Sequence, residues 1–526
     1  MELFPITLPK SNICTETELY YRASQPVQYE EQTGQLTLKR KTVLTLDTYF
    51  NCFSYQKYLQ YTSAQVLEVH LQLQGQFQIR LLKVQLEGKN VQRTVLLTQQ
   101  VQQEQLVDTV LLYDFSRESG NGFLYLELTA LSKQTVFGGG FYASPIAEER
   151  LQPTKIAAVI CTYQREAYVQ RNLHHLAQTI FAAPEQEAAQ HLEVFVVDNG
   201  KTLQREAIET SHVRLFPNKN CGGSGGFTRG IIEALRRKAE FSHVLLMDDD
   251  ILLESNVLIK TIRFLQILRP EHQDLAIGGS MLRLDQMNVQ HAMGDCWDGR
   301  KIINVKRDYN LSKIDKLLEN ELESKVDYNA WWYCCLPMCL IDENHLPLPL
   351  FVREDDVEYG LRLFHRWLHL NGVGVWHPPF QKKDNPIMEY YNTRNQLITN
   401  AIHFPGNKAY RNLYILMRFV GKCLLRGNAH MVKIPFKGFD DYLKGLDWLQ
   451  NQDSEQLHQE LIAYGKQLEQ QKHKPWIVYF VLVGLLFLQS TVQFILEQKH
   501  VVGQYREKLH MVTSMTFWCE NLEIKH

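Results

Sequence analysis

Three consecutive acids form the most prominent chemical group in the sequence. Asp248, Asp249 and Asp250 directly follow the apolar run HVLLM, which has the pattern of a buried strand. In an open α/β sheet, ligands bind beyond the carboxyl ends of the strands. Because adjacent carboxylates repel one another, a cation is the usual reason for such a group, and oxygen ligands suit Mg²⁺ or Mn²⁺. The alternative interpretation is a set of capping acids before the next helix.

Polar residues also end two earlier apolar runs. Thr162, Tyr163 and Arg165 follow KIAAVIC, and Asp198 follows LEVFVV. An aspartate at such a position can accept a hydrogen bond from a nucleobase, and an arginine can pair with a phosphate. These residues therefore predict a nucleotide site, with ordinary turn chemistry as the alternative because Asp198 is followed by Asn-Gly.

A glycine-rich run, NCGGSGG, begins at Asn220 and leads into the helical pattern FTRGIIEAL. Glycines allow a backbone to approach a ligand closely, and the first N–H groups of a helix attract phosphate. The run matches neither the GxGxxG pattern nor the P-loop pattern, so it does not support a site of either kind. A flexible loop is the alternative interpretation.

A second acidic group precedes another amphipathic helical pattern. Glu354, Asp355 and Asp356 come directly before VEYGLR, in which Glu358 and Arg362 have the spacing of a helical ion pair. A carboxylate at a helix N-terminus is kept ionised by the helix dipole and can accept a proton from a sugar hydroxyl. Surface capping acids are the alternative here as well.

Two further signals lie on either side of this group. His377, in the run WHPP, could be a third metal ligand, although an isolated histidine is more often structural. Trp331 and Trp332 offer flat faces that suit sugar rings, although aromatic residues at such spacing are more often core residues.

The surrounding elements divide the chain into three predicted regions. Residues 1–145 alternate apolar and polar positions between glycine and asparagine breaks, which predicts a β-sandwich. Residues 146–405 alternate near-continuous apolar runs with helical patterns, which predicts a mostly parallel sheet covered by helices. Residues 406–526 are predominantly helical in pattern. At 526 residues the chain is too long for one core.

Composition narrows the class of function. The formal net charge is −2, which gives no reason to expect nucleic-acid binding. The first ten residues, MELFPITLPK, have neither a basic leader nor an apolar core, so no signal peptide is expected. The ten cysteines lack CxxC spacing and are expected to be reduced. A cytoplasmic location is therefore expected.

One apolar segment needs separate treatment. Trp476 to Leu496 carries no charged residue and follows the basic residues Lys472 and Lys474. Its length could span a bilayer, but Gln489, Ser490, Thr491 and Gln493 make its second half polar. A buried or membrane-surface helix is favoured over a spanning helix.

The order of these motifs resembles a known family. The chain contains, in this order, the motifs CTYQR, VVDNG, NKNCGGSGG, MDDD, WWYCCLP, FVREDDVEYGLR and WHPP. This order resembles the order of motifs in the family 2 glycosyltransferases with the GT-A fold. The chain looks most like the bacterial UDP-galactofuranose galactofuranosyltransferases, particularly those that polymerise mycobacterial arabinogalactan. The resemblance is strong over about residues 155 to 400. It implies a GT-A catalytic region between an N-terminal β-sandwich and a helical C-terminal region.

The resemblance also implies residue roles. Asp356 would be the general base, and Asp248, Asp250 and His377 would hold Mn²⁺ or Mg²⁺. The implied donor-site residues are Thr162, Tyr163, Arg165, Asp198, Asn220 and Asp249. The implied acceptor-site residues are Asp295, Trp331, Trp332 and Asp355. One position departs from the family, because Asn392 stands where the family has a histidine, so no ligand contact is implied there.

The sequence therefore predicts a metal-dependent, inverting glycosyltransferase that moves galactofuranose from UDP-galactofuranose to a cell-surface or lipid-linked glycan. Two alternatives stay open: a family 2 enzyme that uses a rhamnose or galactopyranose donor, and a non-catalytic glycan-binding protein. The expected location is cytoplasmic and peripheral to the inner face of the plasma membrane, with homo-oligomerisation a further possibility. Residues 1–145 are expected to bind glycan.

Overall fold

A computed structural model describes residues 1–182, 187–379, 385–406, 409–472 and 475–525. A strand-rich region, an α/β region and a helical region follow one another along the chain. This order confirms the fold class that the sequence predicts. Lys474, which belongs to the predicted basic flank, lies outside the described residues.

The N-terminal region is built around one long, bent strand. Strand β6 pairs with β7 along most of its length, with β9 through its first half and with β8 through its second half. Because the pairing is irregular at Gly75, where φ is +98°, one strand joins two groups of strands, which fits a sandwich. The elements are β1 (Glu2–Pro5), β2 (Arg22–Ala23), β3 (Gln28–Glu30), β4 (Gln35–Lys39), β5 (Val43–Thr45), α1 (Tyr55–Tyr61), β6 (Val66–Glu87), β7 (Asn90–Asp114), β8 (Gly122–Ala130) and β9 (Gln134–Ala143).

The α/β region starts with strands that are buried on both faces, as their apolar runs predict. Its first part comprises β10 (Ile156–Thr162), α2 (Glu166–Thr179), α3 (Glu187–Gln190), β11 (Leu192–Asp198), α4 (Arg205–Ile208), β12 (Val213–Pro217), α5 (Gly222–Leu235), β13 (His243–Asp248) and α6 (Asn256–Gln266). Its second part comprises β14 (Ala276–Gly278), β15 (Ser280–Arg283), β16 (Gln286–Ala292), β17 (Asp295–Trp297), β18 (Ile302–Asn304), β19 (Tyr309–Asn310), α7 (Ile314–Glu321), β20 (Cys334–Pro337), α8 (Asp355–Leu363), β21 (Trp367–Leu368) and β22 (Gly374–His377).

The main sheet of this region has the strand order β12-β11-β10-β13-β20-β14-β21. Strands β10 to β13 are parallel, and the strand order reverses between β10 and β13. A reversal of this kind opens a crevice at the carboxyl ends of the two strands, which is where ligands bind in such sheets. Strand β22 belongs to a second sheet, of order β19-β16-β15-β22.

The glycine-rich run is part of helix α5, whereas the sequence pattern indicated a segment leading into a helix. A Cβ atom on Gly226 would lie 2.1 Å from the Cys161 sulfur, and one on Gly230 would lie 2.2 Å from Val159 Cγ1. Both neighbours belong to β10. Glycine is therefore required at these positions because α5 packs closely against the central strand.

The C-terminal region consists of α9 (Met388–His403), α10 (Ala409–Leu425), α11 (Lys433–Leu443), α12 (Gly445–Asn451), α13 (Ser454–Glu469), α14 (Trp476–Glu507), α15 (Leu509–Thr513) and α16 (Met515–Asn521). Helix α9 packs against α10, α11 and α14. The last helix returns to the α/β region, where Trp518 Nε1 donates to the Pro347 carbonyl at 2.8 Å.

Helix α14 contains the uncharged segment and packs through one face only. Its buried residues recur at spacings of four and seven, a single stripe along the helix: Tyr479, Val483, Ser490, Phe494, Val501 and Tyr505. Other apolar side chains are exposed, among them Leu485, Leu488 and Leu496. The helix is long enough, and one window of it apolar enough, to cross a membrane, by length and composition alone.

Candidate functional site

The carboxyl ends of β10 and β13 meet through direct side-chain hydrogen bonds. Thr162 Oγ1 donates to one oxygen of Asp249 at 2.7 Å, and Arg165 Nη1 donates to the other at 3.0 Å. The same Arg165 nitrogen lies 3.0 Å from Asp250. Three residues that the sequence assigns to a nucleotide site are thus brought together at the point where the strand order reverses.

The predicted metal ligands also come together. One ligand atom from each of Asp248, Asp250 and His377 lies within 4.8 Å of the others. His377 Nε2 is 3.0 Å from Asp250 Oδ1 and 3.7 Å from Asp248 Oδ2. The His377 ring belongs to β22, and backbone hydrogen bonds between Leu252 and Trp376 hold that strand against the segment after the three acids.

The chemistry of these three residues fits a divalent cation. His377 Nδ1 lies 2.7 Å from the Pro378 carbonyl, which fixes the proton on Nδ1 and leaves the Nε2 lone pair directed at the carboxylates. Burial and the neighbouring acids raise the pKa of Asp248 to about 7. Despite burial, the hydrogen bond to Asp250 and the charge of Asp248 raise the pKa of His377. A bound cation would take the place of a proton held between His377 and the acids, and would keep the carboxylates of Asp248 and Asp250 ionised.

A cavity of about 670 Å³ opens next to this cluster. It is lined by one of the three candidate metal ligands and by the residues assigned to acceptor binding and proton transfer, namely Asp248, Asp295, Trp331, Trp332, Asp355 and Asp356. Thr162, Tyr163, Arg165, Asp198 and Asn220 do not line it. The cavity is therefore lined by predicted acceptor residues and not by these five predicted donor residues.

Two predicted donor residues have structural hydrogen bonds. The Asp198 carboxylate accepts the backbone N–H groups of Gly200, Thr202 and Leu203, and so it shapes the loop after β11. Asn220 accepts the Gly222 N–H at 3.2 Å and donates to Glu455 at 3.3 Å. Their contact with a ligand stays a prediction.

The predicted acceptor residues form a mixed aromatic and acidic wall. Trp332 donates its indole N–H to the Gly279 carbonyl at 2.7 Å, and Trp331 packs edge-on against Phe227 at 5.1 Å between ring centroids. Asp295 accepts a hydrogen bond from Asn304 at 2.7 Å, and burial raises the pKa of its carboxyl to about 7. Whether this wall binds an acceptor sugar stays a prediction.

The predicted base lies in the first turn of α8. Asp355 and Asp356 both belong to that turn, and Asp356 Oδ1 accepts the Val357 N–H at 2.8 Å. Burial raises the pKa of Asp356 to about 6 and that of Asp355 well above its ordinary value. Because two neighbouring carboxyl groups titrate as a pair, the choice of Asp356 rather than Asp355 as the base stays a prediction.

The loop that leads into α8 has an unusual backbone. Phe351, Arg353 and Glu354 have φ values of 72°, 71° and 59°, in the left-handed region that non-glycine residues rarely adopt. Asn395 of α9 stabilises this loop, because its side-chain nitrogen lies 3.2, 2.9 and 2.9 Å from the carbonyl oxygens of Leu350, Val352 and Arg353. Arg394 also donates to the Leu350 carbonyl, at 2.9 Å.

Sequence reasoning did not find this loop-holding role. The only sign of it in the sequence is the run YYNTRN at residues 390–395. Its polar residues are unusual in a buried helix unless they form hydrogen bonds with neighbouring segments. Asn392 lines the cavity and donates to Glu389 at 2.9 Å.

Glu358 forms the predicted ion pair with Arg362, but the pair is not on a helix surface. Glu358 is fully buried, bonds Arg362 at 2.9 and 3.0 Å and lies 3.2 Å from His403. The helical spacing alone suggests a pair on the helix surface, whereas the structure shows a buried one.

The chain matches the family model described as "Glycosyltransferase like family 2" over residues 153–369. It is 28% identical over 474 residues to the galactofuranosyltransferase GlfT2 of Mycobacterium tuberculosis, covering 84% of this chain and 70% of that protein. It is also 28% identical to GlfT2 of Mycolicibacterium smegmatis, covering 63% of this chain and 53% of that protein.

Among solved structures, the mannosyltransferase PcManGT of Pyrobaculum calidifontis, in complex with GDP-Man and Mn²⁺, matches 68% of this chain and 90% of its own, with 14% identity and a TM-score of 0.30. The CBM22-1 xylan-binding domain of Xyn10C from Paenibacillus barcinonensis covers 24% of this chain and 86% of its own, with 15% identity and a TM-score of 0.17. Both scores are low. The sequence matches show that residues 153–369 are similar to a family 2 glycosyltransferase domain and that the chain is similar to galactofuranosyltransferases.

Proposed function

We propose that this family 2 glycosyltransferase moves galactofuranose from UDP-galactofuranose to a hydroxyl group of a glycan acceptor, with inversion at the anomeric carbon. The observation that carries the proposal is the convergence of two groups on one cavity. Asp248, from the acid cluster, and Asp356, the candidate base, both line it. An inverting transfer needs a base for the acceptor hydroxyl and a Lewis acid for the leaving group, and it needs no protein nucleophile.

Asp248, Asp250 and His377 would hold Mn²⁺ or Mg²⁺, because two carboxylates and a neutral imidazole suit such an ion. When bound, the ion would stabilise the negative charge that develops on the departing nucleoside diphosphate. Asp249 would contact the donor. The Arg165 guanidinium donates hydrogen bonds to the carboxylates of both Asp249 and Asp250.

Asp356 would act on the acceptor side. Its carboxylate accepts one backbone N–H at the start of α8, which leaves the second oxygen for the acceptor hydroxyl. Removal of that proton makes the acceptor oxygen a better nucleophile for the anomeric carbon. Asp355, Asp295, Trp331 and Trp332 would orient the acceptor ring in the same cavity.

The choice of galactofuranose and uridine rests on the similarity to GlfT2. No contact of the described residues distinguishes a furanose from a pyranose. The nucleotide side of the site is proposed to be formed by Thr162, Tyr163, Arg165, Asp198 and Asn220. The strand-rich region of residues 1–145 is proposed to bind the longer glycan acceptor.

A donor panel tests the proposal directly. The full-length protein would be given UDP-galactofuranose, UDP-galactopyranose or dTDP-rhamnose together with a short galactofuranosyl acceptor, and the product would be identified by mass spectrometry and NMR. We expect transfer from UDP-galactofuranose with inverted stereochemistry. Preferred transfer from another donor would refute the galactofuranose assignment, and retained stereochemistry would refute the inverting mechanism.

We also propose that the exposed apolar face of α14 lies on a membrane surface. One face of the helix packs on α9, α11 and α12, so the helix is held within the C-terminal region along its length. The other face exposes leucine, valine and isoleucine side chains, and Lys472 lies just before the helix. Apolar and basic groups together favour an anionic membrane surface.

Vesicle flotation would test this location. We expect Leu485→Gln/Leu488→Gln to reduce binding to vesicles that contain anionic lipid, because both side chains are 64% exposed on α14. Leu112→Gln is the matched control, since Leu112 is 61% exposed on the strand-rich region. Equal binding of the α14 variant and the control, or wild-type protein that resists an alkaline carbonate wash, would contradict the peripheral location.

A further inference from the structure

We propose that the Glu354 carboxyl group is an acceptor-binding group, which hydrogen-bonds one sugar hydroxyl in the cavity and selects acceptors that carry it. This inference rests on the proposed glycosyl transfer and adds a specificity-determining residue to it. Glu354 immediately precedes Asp355 and Asp356, and all three residues line the cavity.

The two oxygens of this carboxyl group have different surroundings. Oε1 accepts a hydrogen bond from Gln396 Nε2 at 2.7 Å. Oε2 has no hydrogen-bond partner among the residues that the structure describes, and the residue is only 4% exposed. An unpaired buried polar atom is destabilising, so its presence on a residue that lines a cavity indicates a missing ligand.

The orientation of the carboxyl group is fixed from behind. Arg418 Nη2 donates to Gln396 Oε1 at 2.7 Å, so the amide nitrogen of Gln396 must face Glu354. Arg418 Nη1 donates in turn to the Arg300 carbonyl at 2.5 Å. This chain of hydrogen bonds holds Oε1 and leaves Oε2 as the carboxyl oxygen that has no partner among the described residues.

The backbone supports the same orientation. Glu354 has a φ of 59°, and two of the three residues before it are also left-handed. Such a conformation is strained at a non-glycine residue and persists only where its surroundings enforce it. The Asn395 side chain enforces it through the carbonyl groups of Val352 and Arg353.

The protonation state indicates the class of ligand. Burial raises the pKa of Glu354 to about 8, and the charge of Asp356 adds to that effect, against the Gln396 hydrogen bond and the charges of Arg353 and Arg418. The carboxyl group is therefore neutral at pH 7. Because Oε1 accepts from Gln396, the proton lies on Oε2, which becomes a hydrogen-bond donor.

A neutral donor next to the candidate base suits an uncharged sugar hydroxyl. A cation would find no negative charge on this group, and a phosphate would lie against the carboxylate of Asp356. The hydroxyl that Glu354 binds would belong to the acceptor, because Asp356 and the Trp331–Trp332 wall line the same cavity. The acceptor ring would then be held through two hydroxyls, one bonded by Glu354 and one deprotonated by Asp356 so that its oxygen attacks the anomeric carbon.

The test compares Glu354→Met and Glu354→Gln in the full-length protein. Methionine keeps the volume and removes both polar atoms, whereas glutamine keeps a neutral donor at the Oε2 position. Glu343→Met is the control, because Glu343 is exposed and outside the cavity. Initial rates would be measured with a short galactofuranosyl acceptor and with its monodeoxy analogues, each lacking one hydroxyl, using the donor that wild-type protein prefers.

We expect Glu354→Met to raise the acceptor KM about fivefold to tenfold, the size of one lost neutral hydrogen bond, and Glu354→Gln to raise it much less. One deoxy acceptor should be poorer for the wild type yet no poorer than the parent acceptor for Glu354→Met. An unchanged KM in Glu354→Met, equal impairment in both variants, or additive losses with every deoxy acceptor would overturn the inference. Absence of transfer by the wild type with any donor would instead refute the proposed function.

Discussion

The substitution Glu358→Gln separates a structural carboxylate from the proposed catalytic carboxylate of Asp356, two residues away in α8. Glu358 is fully buried and makes two hydrogen bonds to Arg362, whose side chain is only 10% exposed. Burial alone would raise its pKa, but Arg362 and His403 lower it from 4.5 to about 2. At about 1.4 kcal/mol per pKa unit, the ionised form contributes about 3 kcal/mol.

The sign of the effect follows from that direction. A carboxyl group whose pKa is lower in the folded state contributes its full stabilisation above its unfolded pKa, and loses it as pH falls towards the folded value. The contribution of Glu358 should therefore be complete at pH 7 and disappear between about 4.5 and 2. Glu358→Gln removes the charge and leaves Arg362 unpaired in the interior, which is the costly way to break such a pair.

Hydrogen exchange measured by mass spectrometry can report this locally. At pH 7 we expect Glu358→Gln to lower the opening free energy of peptides from α8 and α9 by about 3 kcal/mol. Arg362→Met and the double variant complete a thermodynamic cycle, in which the two losses should not add. Protection within about 0.5 kcal/mol of wild type, well below the loss expected for a buried pair, would refute the structural role of Glu358.

Three further outcomes follow from the site. Asp356→Asn should lower kcat by about 10²–10⁴, as for loss of a general base, while keeping UDP affinity, and a larger loss in Asp355→Asn would move the base by one residue. In the wild type, kcat should fall as pH drops through about 6, because Asp356 must be ionised to accept a proton, and a flat profile from pH 8 to 5 would contradict this assignment. Asn395→Leu should lower kcat more than it raises the UDP Kd, because the loop before α8 loses its contacts to three carbonyl groups; equal effects on both would show a general loss of structure.

The parts of the fold that follow from local pattern could be predicted. Apolar runs such as HVLLM predict buried parallel strands, and acids after a strand fall at the edge of the sheet, so the cluster of Asp248 and Asp250 was foreseeable. His377 lies more than 120 residues farther along the chain. Its place beside the acids depends on the pairing of Leu252 with Trp376, which no local pattern indicates. The run WHPP alone left a structural histidine as the more common interpretation, and the family resemblance implied the metal role.

The polar interior of the site could not be predicted in the same way. Asn395 bonds backbone carbonyls some 42 to 45 residues upstream, and Gln396 bonds a carboxyl group 42 residues upstream. Side chains that recognise a distant backbone leave no periodic signal in sequence. The glycines of α5 were likewise interpreted through ligand approach, whereas the structure uses Gly226 and Gly230 for close packing on β10.

The most direct test of the central claim is the metal dependence of galactofuranose transfer by the full-length protein. Chelator-treated wild type would be assayed with UDP-galactofuranose and a galactofuranosyl acceptor while Mn²⁺ is added back, beside Asp250→Ala and His377→Ala. We predict that chelation abolishes transfer, that Mn²⁺ restores it in the wild type, and that Asp250→Ala stays inactive at every Mn²⁺ concentration. Full turnover in excess chelator, or wild-type activity in Asp250→Ala, would contradict the account.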